Sequence, residues 1–269
     1  MLKSNLAKFK LILQKAYMLN ARVRHLEFKL IIQDDEHTQY LFNYLPGQFI
    51  SLLFTKDSEI IRRNFSIANQ PSNDNILEIA VTYVLNGLGS TKLHNMQLGE
   101  SINALGPFGT FLLKPEEFIN IKRYILVATG TGVTPFRAML NMIEQLINQK
   151  NLEFILLLGV RNVEELLYAK DFIDFSNQYP NFKFYPCYSR NHNRDHSSSK
   201  EEHDVVLNVD DYVYQGYVQH QLTKFNLNPD SDLFYLCGNP NMIDEALIIL
   251  KNLNVPSKHI KREKYISTK

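Results

Sequence analysis

The stretch Tyr124-Ile-Leu-Val-Ala-Thr-Gly-Thr-Gly-Val-Thr-Pro-Phe-Arg137 limits this chain more than any other. Residues 124–128 form an apolar run of the length of a strand covered on both faces. Thr129-Gly-Thr-Gly132 follows, and its glycines let the backbone turn sharply and approach a ligand with no Cβ between them. Pro135 suits a first helical turn, where its missing N–H is not needed. Phe136, Met139, Leu140 and Ile143 then recur at helical spacing, which predicts a helix over 136–149. A strand, a glycine turn and a helix N-terminus together make a phosphate site, because free N–H groups and the positive dipole end face the anion. By itself the stretch also fits an ordinary strand-to-helix turn. Pro135 stands where the usual dinucleotide fingerprint has its third glycine. The next strand, 154–158, runs into Gly159-Val-Arg161, with no acid placed for a ribose hydroxyl and a cation offered instead.

The rhythm around this stretch sets the fold class. Apolar runs at 124–128, 154–158, 182–188 and 233–236 alternate with helical segments such as 136–149 and 243–253, which predicts a parallel sheet with helices on both faces. The first part of the chain reads differently. Alternating or apolar stretches at 9–13, 23–32, 44–54, 64–67 and 76–84 precede a helical stretch at 91–96 and a strand ending at Gly106-Pro-Phe-Gly109. Many short strands with Gly/Pro turns predict a closed antiparallel barrel, which leaves no exposed edges to manage. The break falls near Lys114-Pro-Glu-Glu-Phe118, giving an expected barrel domain of residues 1–116 and an α/β domain of residues 117–269. The polar segment 190–204 carries His192, His196 and His203 and reads as a solvated loop, so no metal site is expected.

Composition excludes several classes. The net charge of +1 gives no reason to expect nucleic acid. Cys187 and Cys237 are the two cysteines, too few for a disulfide framework or a four-ligand iron–sulfur cluster. Lysines interrupt the N-terminus and no apolar run is long enough to span a bilayer. The expectation is a soluble, cytoplasmic chain without membrane insertion.

A second concentration of chemistry lies at Arg62-Arg-Asn-Phe-Ser-Ile-Ala-Asn69. Arginines on an otherwise apolar strand need anionic or π partners. Arg63, Phe65 and Ile67 alternate with Asn64, Ser66 and Ala68, so a cation, a ring and a hydroxyl can face one flat, phosphorylated ligand. Pairing of an arginine with a surface carboxylate, with Phe65 in the core, fits the composition equally well. Gly87-Leu-Gly-Ser-Thr91, a second turn suited to an anion, favours the ligand. Two such turns imply two phosphorylated ligands, or one held between the domains.

Taken together, these motifs resemble the ferredoxin–NADP reductase superfamily, in the branch of flavin reductases and oxygenase-type reductase components. Arg63-Asn-Phe-Ser66 matches the family's Arg-x-Tyr/Phe-Ser flavin motif. Gly87-Leu-Gly-Ser-Thr91 resembles its second flavin-phosphate segment, and Gly106-Pro-Phe-Gly109 the turn that closes its barrel. Gly130-Thr-Gly-Val-Thr-Pro135 is similar to the pyrophosphate turn, which carries proline in this family. Tyr188-Ser-Arg190 resembles the adenosine-side segment, and Cys237-Gly-Asn-Pro240 the motif beside the nicotinamide.

The resemblance implies an N-terminal antiparallel flavin-binding barrel, a C-terminal parallel-sheet domain for NAD(P)H, and hydride transfer between the two cofactors. Arg63 would then pair with flavin phosphate, with Asn64 beside it and Phe65 along the flavin, while the Ser66 hydroxyl would sit near flavin N5. Ala80 and Val81 would touch the ring edge, and Gly89, Ser90 and Thr91 would bind flavin phosphates. Thr131, Gly132 and Pro135 would hold the nucleotide's pyrophosphate, with Arg161, Ser189 and Arg190 at its far end. Cys237 and Gly238 would wall the nicotinamide, with Glu263 near the reacting atoms and Tyr265 against the ring. Ser66, Cys237 and Glu263 are the expected catalytic residues.

FAD and NADPH are the implied cofactors, with NADH also possible. Electrons would pass to a separate ferredoxin, flavodoxin or oxygenase component, or to a small acceptor such as free flavin. A second class on this fold is the electron-transfer subunit of a larger complex, such as a pyrimidine-synthesis dehydrogenase. That subunit type carries cluster cysteines near its end, and no cysteine follows Cys237 here.

Overall fold

The structure is a computed structural model that describes residues 7–32, 42–190 and 213–265. The polar segment from residue 191 to 204 and the tail beyond Tyr265 lie outside the described residues. In the first half, strands β1 (Ala7–Met18), β2 (Val23–Ile32), β3 (Phe49–Lys56), β4 (Glu59–Ser66) and β5 (Ile76–Thr82) are followed by helix α1 (Leu88–Asn95) and strand β6 (Ser101–Phe108). They form an antiparallel sheet in the order β4-β3-β6-β1-β2-β5. Alternation along the strands sends Phe9, Leu11, Leu13, Leu26, Phe28, Ile50, Leu52, Phe54, Leu77 and Ile79 into one core.

The end strands β4 and β5 do not stay open. The Ala68 N–H donates to the Glu78 carbonyl at 2.8 Å. The Asn69 side chain accepts from the Glu78 N–H at 2.9 Å and donates to the Ile76 carbonyl at 2.9 Å. A short polar side chain thus stands in for the missing strand backbone and closes the barrel, as the turn-rich composition predicts.

The second half holds β7 (Arg123–Thr129), α2 (Thr134–Ala138), α3 (Leu140–Lys150), β8 (Glu153–Val160), α4 (Ala169–Gln178), β9 (Phe182–Tyr188), β10 (Tyr214–Gln215), α5 (Val218–Gln221), β11 (Asp232–Gly238), α6 (Pro240–Asn252) and β12 (Ile260–Lys264). The sheet is parallel throughout, ordered β10-β9-β8-β7-β11-β12. The chain winds outward from β7 through β10 and then returns to the other side of β7. The carboxyl ends of β7 and β11 therefore flank the topological switch point, where ligands bind in open α/β sheets.

By its contacts the chain groups into two compact units. Among the described residues, one comprises those up to 119 together with 131–150, and the other 120–130 together with 151–265. The helix expected over 136–149 is present in two pieces. They part at Met139, whose N–H is shared between the Pro135 and Phe136 carbonyls. Helix α1 begins at Leu88, earlier than the expected 91, and this places Gly89 and Ser90 in its first turn. Strand β12, which the sequence does not mark, owes its place to pairing with β11. No helix among the described residues is long and apolar enough to cross a membrane.

Candidate functional site

In the barrel unit two motifs far apart in sequence converge. Strand β4 is half-exposed along its length and pairs with β3 so that Arg63 lies opposite Leu52 and Ser66 opposite Phe49. A Cβ on Gly89 would stand 3.3 Å from the Arg63 Cγ and 3.3 Å from the Phe54 ring. The absence of a side chain there lets the arginine stem cross the start of α1. The Arg63 guanidinium donates to the Arg62 carbonyl at 2.9 Å, which aims the head without neutralising it. No carboxylate among the described residues pairs with Arg63.

Helix α1 starts at Gly87 in extended conformation, with no side-chain cap and no acid in its first turn. Its first N–H groups have no intrahelical acceptor and carry the positive end of the dipole. The Ser90 hydroxyl is occupied within the turn itself. It contacts the Val84 N–H, the Val84 carbonyl and the Gly87 carbonyl, each at 3.1 Å. Ser90 therefore shapes the turn through its side chain and offers an anion only its backbone, whereas the half-buried Thr91 keeps a hydroxyl as well. Asn64 accepts from the Ser51 hydroxyl at 2.7 Å, Phe65 packs partly against the barrel core, and Ser66 is buried. Ala80 and Val81 are buried on β5, opposite His25 and Arg24.

A charged network that the sequence does not reveal braces these strands. Arg137, at the end of the organising stretch, donates to the Ala68 carbonyl at 2.9 Å and to the Glu78 carboxylate at 2.6 Å. Glu78 lies 3.4 Å from the imidazole of buried His25, which stacks on Tyr17 at 4.7 Å between ring centres. Lys15 holds Glu27 at 2.8 Å, and Glu27 lies 3.7 Å from the same imidazole nitrogen. His25, Glu27 and Glu78 have the make-up of a metal cluster, their ligand atoms lying within 4.8 Å of one another. Each carboxylate already has a cationic partner, so the cluster is a brace.

In the α/β unit the switch point is closely built. A Cβ on Gly238 would fall 2.5 Å from the Thr129 hydroxyl and 2.7 Å from its carbonyl, and the residue sits at φ +125°. Only glycine lets β11 end this close to the glycine turn. The Thr129 hydroxyl accepts the Asn239 N–H at 2.8 Å, a role the sequence does not announce. The turn itself is a short 3-10 segment, Gly130–Val133, running into α2 with Pro135 in the first helical turn. Within it the Thr134 hydroxyl donates to the Thr131 carbonyl at 2.9 Å, and Gly132 and Pro135 are buried.

Cys237 lies opposite Glu263 across β11 and β12, and the Tyr265 N–H reaches the Gly238 carbonyl at 2.8 Å. The Tyr265 hydroxyl shares a hydrogen bond with the Cys237 thiol. Full burial, with the Glu263 charge beside it, holds that thiol well above the ordinary range. Cys237 is thus a protonated, unreactive wall at neutral pH, and the structure brings Cys237, Glu263 and Tyr265 together.

At the far ends of β8 and β9 one expectation needs correction. The Ser189 N–H donates to the Val160 carbonyl and the Arg190 N–H to the Arg161 carbonyl, each at 3.0 Å, so Arg161 and Arg190 leave the sheet side by side. Arg161 is not an open cation. Glu165 folds back through a 3-10 turn, Val163–Glu165, and grips the guanidinium through both carboxylate oxygens, with the Nε contact at 2.9 Å. An acid therefore does stand at this strand end. It escapes a reading of the strand because it lies five residues beyond its last apolar position. Arg190 is exposed, and its guanidinium has no partner among the described residues.

These sites suit phosphorylated cofactors on their own geometry. The barrel offers an uncapped helix start and an un-neutralised arginine across Gly89, and the α/β unit offers a glycine turn at a switch point. Residues 10–112 match the model of the oxidoreductase FAD-binding domain, and residues 126–247 that of the oxidoreductase NAD-binding domain. The chain is 28% identical to ferredoxin–NADP reductase B of Sorangium cellulosum over 83% of this chain and 86% of that protein. It is 26% identical to the anthranilate 1,2-dioxygenase electron transfer component of Acinetobacter baylyi over 89% of this chain. The match spans 63% of that component's length and 58% of the phenol hydroxylase P5 protein of Acinetobacter pittii. A crystal structure of a ferredoxin NADP+ reductase from Neisseria gonorrhoeae, with bound FAD and NADP, shares the fold. Its TM-score is 0.72 at 20% identity, covering 97% of this chain and 99% of that one.

Proposed function

We propose that this chain, which belongs to the ferredoxin–NADP reductase superfamily, is an NAD(P)H-dependent flavoprotein oxidoreductase serving a separate electron acceptor. The observation that carries the reading is the crossing of the Arg63 stem over Gly89, which joins a cation to an uncapped helix N-terminus. FAD, when bound, supplies a carrier that takes a hydride from the nicotinamide and gives up electrons to the acceptor.

The chain's own residues bind, orient and exclude. Arg63 offers paired charge-assisted hydrogen bonds to a phosphate, and the first N–H groups of α1 face the same anion. Ser66 is buried at the end of β4, where its hydroxyl is a hydrogen-bonding group on an otherwise apolar wall. After β7, Thr131, Gly132 and Pro135 shape the pyrophosphate turn. Buried Cys237 keeps its proton and excludes water, with Tyr265 hydrogen-bonded to it. Glu263 adds the one carboxylate beside the thiol. Ferredoxin or flavodoxin is the proposed acceptor. An oxygenase component is the second reading, favoured by the 26% identity to a dioxygenase electron transfer component.

The test is direct. The purified protein should be yellow and should release FAD on acid treatment, identified by chromatography. NADPH or NADH should bleach it in stopped flow, and ferredoxin, flavodoxin and free flavin should then be compared as acceptors. Ser66→Ala should slow bleaching while FAD content stays unchanged. A colourless protein that takes up no flavin on reconstitution would end this reading.

A further inference from the structure

The charge arrangement at the ends of β8 and β9 goes beyond the assignment of a nucleotide site, and it rests on that assignment. Arg161 and Arg190 are held next to each other by the two backbone bonds that extend the β8–β9 pairing past the strands. Two arginines whose backbones adjoin at the carboxyl edge of a parallel sheet can both reach a dianionic phosphate bound there. One of the two is taken. Glu165 meets Arg161 in a paired, two-oxygen contact, and its carboxylate also lies 3.5 Å from the Arg161 backbone N–H. The position of Glu165 is built into the turn. The Glu165 N–H bonds the Asn162 carbonyl at 3.2 Å and the Leu166 N–H the Val163 carbonyl at 3.1 Å, which fixes the direction from which the carboxylate returns.

We infer that Glu165 is a specificity-determining residue for the 2′ position of the adenosine ribose. It withholds Arg161 from a 2′-phosphate and leaves Arg190 to bind that group. A third charge, negative and close by, counts against a 2′-phosphate and does not repel an uncharged 2′-hydroxyl. With one cation withheld and one left open, the site should take both 2′-phosphorylated and unphosphorylated nucleotides with a modest preference for the former. It also says which residue keeps the preference modest. Tyr217, exposed just beyond β10, borders the same edge and offers a ring to the base without regard to the 2′ group.

The probes are adenosine 2′,5′-bisphosphate and 5′-AMP, whose affinities for the full flavin-loaded chain are measured by calorimetry at fixed ionic strength. Their ratio, in wild type and in Glu165→Gln, is the readout. Glu165→Gln should raise the preference for the bisphosphate about five- to fifty-fold, the range for a charge-assisted contact reduced by partial exposure. Glu165→Ala should do the same. In Glu165→Gln/Arg161→Gln the gain should vanish, because the freed guanidinium is what produces it. Arg190→Ala should lower bisphosphate binding and leave 5′-AMP binding unchanged. If both probes bind and the ratio stays fixed in both Glu165 variants, Glu165 has no such role and the inference falls while the nucleotide site stands. A gain that persists in the double variant would overturn the action through Arg161. Failure of both probes to bind any form would remove the nucleotide site itself, and the inference with it.

Discussion

Strands β4 and β8 each carry an arginine toward a site proposed for a phosphorylated cofactor, and the two are handled by opposite means. In the barrel, Arg63 reaches its turn across Gly89 from a strand 26 residues away in sequence, and among the described residues its guanidinium meets a backbone carbonyl. In the second half of the chain, the glycine turn follows directly on its own strand, and Arg161 is neutralised by a carboxylate four residues on. The first arrangement keeps a full positive charge and depends on tertiary contact to place it. The second places its charges by local chain geometry and then tempers them. An anion that must stay bound through turnover suits the first, and one that must leave suits the second.

The largest effect should come from Gly238→Ala. The new Cβ would overlap the Thr129 backbone at a φ that disfavours side chains, a combination costing about 2–5 kcal/mol. Denaturant melts should show the loss, and nucleotide binding should fail before flavin binding does. Equal loss of both would break the separation of the two sites. Next, Arg63→Ala should weaken FAD binding by about 1.5–3 kcal/mol, read by fluorescence titration of the flavin-free protein, with 5′-AMP binding unaltered. An unaltered FAD affinity would remove Arg63 from the site.

Arg137→Met should cost about 1–2 kcal/mol of stability. It deprives the Ala68 carbonyl and Glu78 of a donor and leaves Glu78 facing His25 and Tyr17 without its cation. A melt matching wild type would show the brace to be dispensable.

The smallest effect concerns pH. Burial raises the Cys187 thiol to about 12, above its value in the unfolded chain. Above the unfolded thiol pKa of about 8.5 the unfolded state holds fewer protons than the native state, so stability falls as pH rises toward that raised value. The slope attributable to one thiol is at most about 1.4 kcal/mol per pH unit. Cys187→Ala should flatten the alkaline decline by up to that amount, measured as the difference between the two proteins' stability curves. Curves that run parallel would show that Cys187 does not contribute to the decline.

Much of this molecule was legible in the chain because its signals are local. Residues 124–128 show a doubly covered strand by composition alone, and Thr129-Gly-Thr-Gly132 and Pro135 show the turn and the helix start that follow it. Short strands punctuated by glycine and proline announce a barrel. Gly87-Leu-Gly-Ser-Thr91 marks a turn, although the helix begins three residues sooner than its periodicity suggests. The weak β12 pattern, Ile-Lys-Arg-Glu-Lys, carries no strand signal, since charged residues fill it and pairing with β11 alone makes it a strand.

By itself the sequence determined the order of the elements and the two glycine turns that open onto helices, because propensity and periodicity act over a few residues. Only the tertiary structure decided which charges remain available. Asn69 as a stand-in for strand backbone, Thr129 under Gly238 and Arg137 on Glu78 all join residues distant in the chain. Arg161 and Glu165 are close in sequence, but a turn had to bring the carboxylate back before one of two adjacent cations was withdrawn. Charge depends on separation in space, falling with distance and with screening, and a sequence records only separation along the chain.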